Sequence, residues 1–176
     1  IKEDDTSVPY YYNEYWYMRK YEKGKDYPIY LRKYKSLDAD EELLVDVNKL
    51  AEGYSYFQLR GISISPDNKK MAYAVDTLSR RIYTIKIKNL ETGEMYSEQI
   101  RNTTGGSTWA NDNKTLFYSS REDVTLRVNK IHKHKLGSEV SEDELVYEEK
   151  DKEFSTGIYK TKSNKFLVIG SGSTLT

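Results

Sequence analysis

The stretch SPDNKKMAY at 65–73 is written a second time, as ANDNKTLFY at 110–118. No other feature narrows the folding options of this chain as much. Placing Asp67-Asn68-Lys69 over Asp112-Asn113-Lys114 brings Met71-Ala72-Tyr73 over Leu116-Phe117-Tyr118. The same frame then reaches a weaker third copy, Ser163-Asn164-Lys165, followed by Phe166-Leu167-Val168-Ile169. From 67 to 112 is 45 residues, and from 112 to 163 is 51. In each copy a polar Asx/Pro/Lys cluster precedes a short apolar run, the pattern of a tight turn entering a buried strand.

Beyond the turn and its strand the likeness continues. The runs RIYTIKI at 81–87 and RVNKIH at 127–132 alternate with period two, as half-exposed strands do. Each leads to a leucine closely followed by glycine, LETGE at 90–94 and LGSE at 136–139. These are turns into further strands at 95–100 and 144–148. The beginning of the chain carries a looser version, with strands at 14–19, 27–32 and 42–46, a turn at 23–26, and one helical turn at 48–53 closed by Gly53. Helical periodicity is otherwise nearly absent.

Units of about 45 to 51 residues with three or four strands each point to an all-β fold, a partial β-propeller of about three and a half four-stranded blades. A β-sandwich would explain the strands but not the same turn chemistry at the same phase of each unit. The expected organisation is a linker over 1–9, blades over 10–54, 55–104 and 105–153, and the start of a fourth over 154–176. Propellers close with about four to eight blades, because each blade covers the apolar face of the next. The sequence stops within its fourth unit, so the chain is expected to be a piece of a larger ring. A ring cut in this way should leave an apolar blade face and strand edges open, and should associate with copies of itself.

Charge and composition remove several function classes. Lysine plus arginine and aspartate plus glutamate both total 28, and no long block of like charge stands out. The usual electrostatic reason to expect a nucleic acid or an anionic membrane as partner is missing. No apolar run approaches the length of a membrane span. The chain opens on Ile1, so a true N-terminus, with any signal, is expected to lie outside it. With no cysteine, disulfides, zinc–thiolate sites and thiol nucleophiles are excluded. That fits a reducing cytoplasm and leaves a periplasm open. Asn102-Thr103-Thr104 and Asn113-Lys114-Thr115 match the glycosylation triplet, a pattern that arises often by chance.

A serine hydrolase needs its serine on a G-x-S-x-G strand-to-helix turn, with an aspartate and a histidine to follow. Gly105-Gly106-Ser107 and Gly170-Ser171-Gly172-Ser173-Thr174 do not match it and are expected to be loops. No catalytic residue is expected within the chain. His132 and His134 sit two apart on a strand and share a face. They could ligate zinc with a third ligand, and are more simply a solvated strand face. Asp67, Asp76 and Asp112 could hold calcium or a cationic substrate, and are more simply turn residues bonded to their own backbone. No metal or cofactor is expected. Of the seventeen tyrosines, Tyr17, Tyr73 and Tyr118 recur at one blade position, which argues for packing between blades rather than a stacking surface.

IKEDDTSVP leading into an aromatic strand, then YPIYLRK, LLVDVNKLAEG, ISPDNKKMAYAVDTLSRRIYTIKIKNLETGE, WANDNKTLFY, LVYEEKD and FLVIGSGSTLT resemble, in order, the first part of the propeller of the oligopeptidase B, or protease II, branch of the prolyl oligopeptidase family. The resemblance implies a seven-bladed propeller capping an α/β-hydrolase domain, in which a serine, an aspartate and a histidine cleave short peptides after arginine or lysine. It places the crossing between the two domains near Val8, Pro9 and Trp16, which makes these residues candidates for a hinge or interface. It implies short basic peptides and the chain's own hydrolase domain as partners, with acidic residues lining the channel. The other class left open is a propeller without enzymatic activity that serves as an interaction platform.

Overall fold

The computed structural model describes residues 5–122 and 125–173. They fall into two compact units, 5–56 and 57–173. Each is built of antiparallel strands.

In the first unit the strands are β1 (Asp5–Thr6), β2 (Tyr10–Tyr12), β3 (Tyr15–Tyr21), β4 (Ile29–Tyr34) and β5 (Glu42–Asp46), followed by the single helical turn α1 (Val47–Ala51). β1 and β2 lie end to end along one edge of β3, with Thr6 opposite Lys20 and Tyr10 opposite Tyr17. Between them Ser7 holds the edge through Arg19, its N–H donating to Arg19 O and its Oγ accepting from Arg19 N–H. Pro9 then removes a ladder donor, so the edge strand is broken there. The hairpin from β2 to β3 turns on Asn13 and Glu14, both at positive φ (46° and 69°). That is the two-residue geometry whose twist matches paired strands. Asp46 caps α1 by accepting from Asn48 N–H.

The second unit begins with β6 (Gln58–Ile64), β7 (Lys70–Asp76), β8 (Tyr83–Asn89) and β9 (Met95–Trp109). It continues with β10 (Thr115–Arg121), β11 (Val128–Lys135), β12 (Glu144–Glu148), β13 (Phe154–Lys160) and β14 (Leu167–Ser173). β6 to β12 form one seven-stranded sheet in sequence order, and β13 and β14 form a separate pair. Seven strands share a sheet because β9 does not stop at 100, where the sequence pattern ends it. Its first part pairs with β8 and its last part with β10, and Thr103 stands between Tyr83 on one side and Ser120 on the other. The last strand of one four-stranded meander is thus continuous with the first strand of the next. Positive φ at Asn102 (57°) and Gly105 (87°) turns the chain between the two roles.

The glycine-rich stretches expected to be loops are therefore strands. Gly105-Gly106-Ser107 lies within β9 and 170–173 within β14, while Thr174 falls outside the described residues. Pairing in an antiparallel ladder satisfies their backbone groups, and composition alone does not report that pairing.

The core of the second unit lies between its two meanders. Ala72, Ala74, Ile85, Ile87 and Ile100 meet Trp109, Leu116 and Tyr118, with Tyr83 among them. Burying each large apolar side chain stabilises by about 1.5–3 kcal/mol. Trp109 also donates from Nε1 to Ser63 O at 3.0 Å, tying the first strand of one meander to that of the other. Sequential antiparallel meanders that cover one another's apolar faces are the blades of a partial β-propeller.

Candidate functional site

The repeated sentence of the sequence is one hydrogen-bonded turn made three times. Ser65, Ala110 and Thr161 each donate N–H to the carbonyl five residues on, at 2.9, 2.8 and 3.0 Å. Each accepts from the N–H of the asparagine three residues on, and Asn68, Asn113 and Asn164 all sit at positive φ (62°, 59°, 57°). Asparagine tolerates that conformation better than other side chains, which is why the letter recurs. Asp67 and Asp112 accept from the N–H two residues on, and Ser163 takes the same place in the third copy. Burial opposes their ionisation, but hydrogen bonds win. Ser65 Oγ and Lys69 N–H hold Asp67 below the usual carboxylate range, and Thr115 with the Lys114 N–H does so for Asp112. Asp76 is closed in the same manner, accepting from the N–H groups of Leu78 and Arg81. All three carboxylates bond backbone N–H groups of their own turns, Asp67 with Ser65 Oγ and Lys70 Nζ besides and Asp112 with Thr115 Oγ1.

These turns also touch in series. Asp67 N–H donates to Asn113 Oδ1 at 2.9 Å, and Asn111 Nδ2 donates to Asn164 O at 2.8 Å. Asn113 is therefore occupied within the fold, and Thr103, of the other glycosylation triplet, is wholly buried.

The first strands of the two meanders converge at glycine. Gly61, in β6 at φ 66°, has the Gly105 carbonyl oxygen 1.7 Å from where a Cβ would stand. A Cβ on Gly105 would in turn fall 2.8 Å from Arg60 Cγ and 3.0 Å from Tyr83 Cγ. The missing side chains let the backbones meet and let the Arg60 stem cross the seam. Gly61 and Gly106 each stand seven residues before the turn asparagine, and Gly157 does so in the third copy. Reasoning from the turn alone misses that extension of the repeat, although the glycine spacing is legible in the sequence.

The two histidines correct the solvated-face expectation. His134 is fully buried and its Nδ1 lies 2.7 Å from Asp143 Oδ1, while Asp143 Oδ2 accepts from Tyr118 OH at 2.8 Å. Asp143 comes from the segment leading into β12, which no spacing rule ties to β11. His132 stacks on Tyr118 and its Nε2 lies 3.0 Å from Ser120 Oγ. Burial lowers the His132 pKa, with Lys130 adding to the effect and Asp143 opposing it. Burial, then Asp143, pushes the Tyr118 phenol up. A serine and a histidine thus meet, but the carboxylate holds the other histidine. Among the described residues no Ser–His–Asp line forms, and no group of three ligating side chains fit for a metal is present. Tyr17 and Tyr73 are buried like Tyr118, and burial raises both phenols, Tyr17 to about 12.

Of the candidate hinge residues, Val8 is 88% exposed in the break between β1 and β2, and Pro9 beside it is half-buried. Trp16 lies on β3, packs against Tyr11 and donates from Nε1 to Lys35 O at 3.2 Å. Val8 stands between strands, whereas Trp16 lies within β3.

The first strands of the second unit carry no acidic side chain. β6, the Thr103–Trp109 part of β9, and β13 hold Arg60 and Lys160 and neither aspartate nor glutamate.

The family model of the prolyl oligopeptidase N-terminal β-propeller domain matches residues 1–176. Dipeptidyl aminopeptidase BI of Pseudoxanthomonas mexicana is 38% identical over 99% of the chain and 26% of its own length. Protease 2 of Moraxella lacunata is 34% identical over the whole chain and 26% of its own. Oligopeptidase B of Leishmania major superposes with a TM-score of 0.92 at 34% identity, over 98% of this chain and 24% of that one. The chain thus spans about a quarter of the length of these relatives. Its matched length, its meanders and their shared strand together show that it belongs to the prolyl oligopeptidase family, as part of the N-terminal β-propeller domain.

Proposed function

We propose that this chain is part of the gating propeller of a serine oligopeptidase of the oligopeptidase B type, which cleaves short peptides after arginine or lysine in a separate α/β-hydrolase domain. The observation that carries the reading is the match of the whole chain to the peptidase propeller, in a chain whose described residues assemble no triad of their own. The propeller's part is to exclude: a ring of packed blades admits an extended peptide and turns away a folded protein. Preference for basic residues belongs on this reading to the hydrolase domain, since the first strands of the second unit supply no carboxylate.

The strand break at Val8 and Pro9, with Val8 exposed, supports a joint between the domains. Its test is Val8→Gly with Pro9→Gly in the full-length protein, where unchanged domain closure and turnover would remove it. The exposed Tyr159 and Phe166 of the β13–β14 hairpin support self-association of the isolated chain. A stable monomer by light scattering would count against it.

The deciding experiment is turnover of a dibasic fluorogenic peptide by the full-length protein and by this chain. Cleavage by the full-length protein alone, blocked by a serine-directed inhibitor, is the expected result. Cleavage by neither would favour the interaction platform.

A further inference from the structure

Of the two basic residues on the first strands, Lys160 is already engaged, its Nζ bonded to Asn111 Oδ1 at 2.7 Å. Arg60 is different. It is exposed, and its stem lies across the seam where Gly105 has no side chain. Its guanidinium carbon stands 5.5 Å from the centre of the Tyr83 ring. Ring and glycine seat hold the side chain, so less freedom remains to be lost when a ligand arrives. Among the described residues it has no ion pair. Three more exposed arginines lie at the same end of the sheet. Arg80 and Arg81 are in the loop before Tyr83, and Arg101 is two residues before Thr103, which pairs with Tyr83. The carboxylate nearest to Arg80 and Arg81 in the chain, Asp76, is buried with both oxygens on backbone N–H groups, and Glu98, three residues before Arg101, accepts from Gly137 N–H and Ser97 Oγ. Other acids of that end are engaged or mixed with cations. Glu122 holds Arg127 and Thr125, and Asp151 and Glu153 alternate with Lys150 and Lys152 before β13.

We propose that Arg60 receives a carboxylate of the entering peptide, with Arg80, Arg81 and Arg101 raising the local anion concentration. The favoured substrates of the ring are then peptides that carry a carboxylate away from the scissile bond. A C-terminal carboxylate and an Asp or Glu side chain share this chemistry. Guanidinium suits the role because its fork takes both oxygens at once. The inference rests on the peptidase reading and adds a contact that selects within it.

The test uses the full-length protein and four internally quenched peptides of one sequence, with C-terminal acid or amide and with Glu or Gln at one inner position. For Arg60→Gln, KM should rise roughly fivefold for the carboxylate that is read, with kcat unchanged, and the peptide bearing neither group should be unaffected. Arg60→Lys should recover part of the loss, and added salt should shrink the difference. Whether the acid/amide pair or the Glu/Gln pair responds identifies the source. Equal effects on all four peptides, or none, would overturn the proposal. Should the wild type cleave none of them, the peptidase reading itself fails. Fluorescence anisotropy of the same peptides, labelled and bound to that protein, then decides for Arg60. Carboxylate-dependent binding lost in Arg60→Gln upholds it, and binding that ignores the carboxylate overturns it.

Discussion

In residues 57–173 the turn between the first two strands of each meander is built three times on an asparagine at positive φ, and the turns bond to one another. In residues 5–56 the corresponding hairpin turns on Asn13 and Glu14 alone. The interiors differ as well. The second unit fills its core with aliphatic side chains around Tyr83, Trp109 and Tyr118. The first also buries Met18, Leu31, Leu44, Val45 and Val47, and adds the ring of Tyr17, which the exposed Tyr10 covers, and Arg32, which is 3% exposed, bound through two nitrogens to Glu42 and set 4.0 Å from the centre of the Tyr15 ring. A repeat shows in sequence where turn geometry demands one residue type. It fades where packing can be met by many.

The sharpest way to break that comparison is Gly61→Ala. The new Cβ meets the Gly105 carbonyl, and neither backbone can yield without opening the seam, so a loss of about 3 kcal/mol or more is expected in urea unfolding. Gly157→Ala, with nothing within 4 Å of the added carbon, should change stability little or raise it by a few tenths of a kcal/mol. Equal effects at the two sites would mean that the close approach does not matter.

Next in size is Glu42→Gln in the first unit. It leaves Arg32 buried with a weaker partner, at a cost of about 1–2 kcal/mol, held down because Glu42 is 38% exposed. Asn113→Ala should cost about 1–2 kcal/mol by losing both the tolerance of positive φ and the acceptor for Asp67 N–H. Asn113→Gly should cost less, since only the acceptor goes. If the two substitutions unfold at the same urea midpoint, the turn is not held by its backbone conformation.

The smallest effect is on pH. Burial lowers the folded His132 pKa below the ordinary 6.5, so the folded state binds fewer protons than the unfolded one. The contribution of this histidine is complete above about pH 6.5 and is lost as pH falls through the window below it. The urea midpoint should fall slightly from pH 8 to pH 5.5, and His132→Gln should flatten that slope. A slope that His132→Gln leaves intact would assign it to other groups.

The turns, the strands after them and the all-β class were legible because a tight turn and an alternating strand are local: a few adjacent residues set φ, hydrogen bonds and facing. The sequence by itself determined the turns around Asp67 and Asp112 and favoured a backbone role for Asp67, Asp76 and Asp112, which the hydrogen bonds show. What only the tertiary structure decided depends on residues far apart in the chain. Period two puts His132 and His134 on one face, but only the packed path of the segment leading into β12 brings Asp143 to His134. The run of β9 through Gly105 is set by β8 on one side and β10 on the other. The seat of Arg60 exists because two glycines 44 positions apart, at 61 and 105, let their backbones touch. Contacts of that range are formed by the whole chain closing on its core, and no window of sequence contains both sides of them.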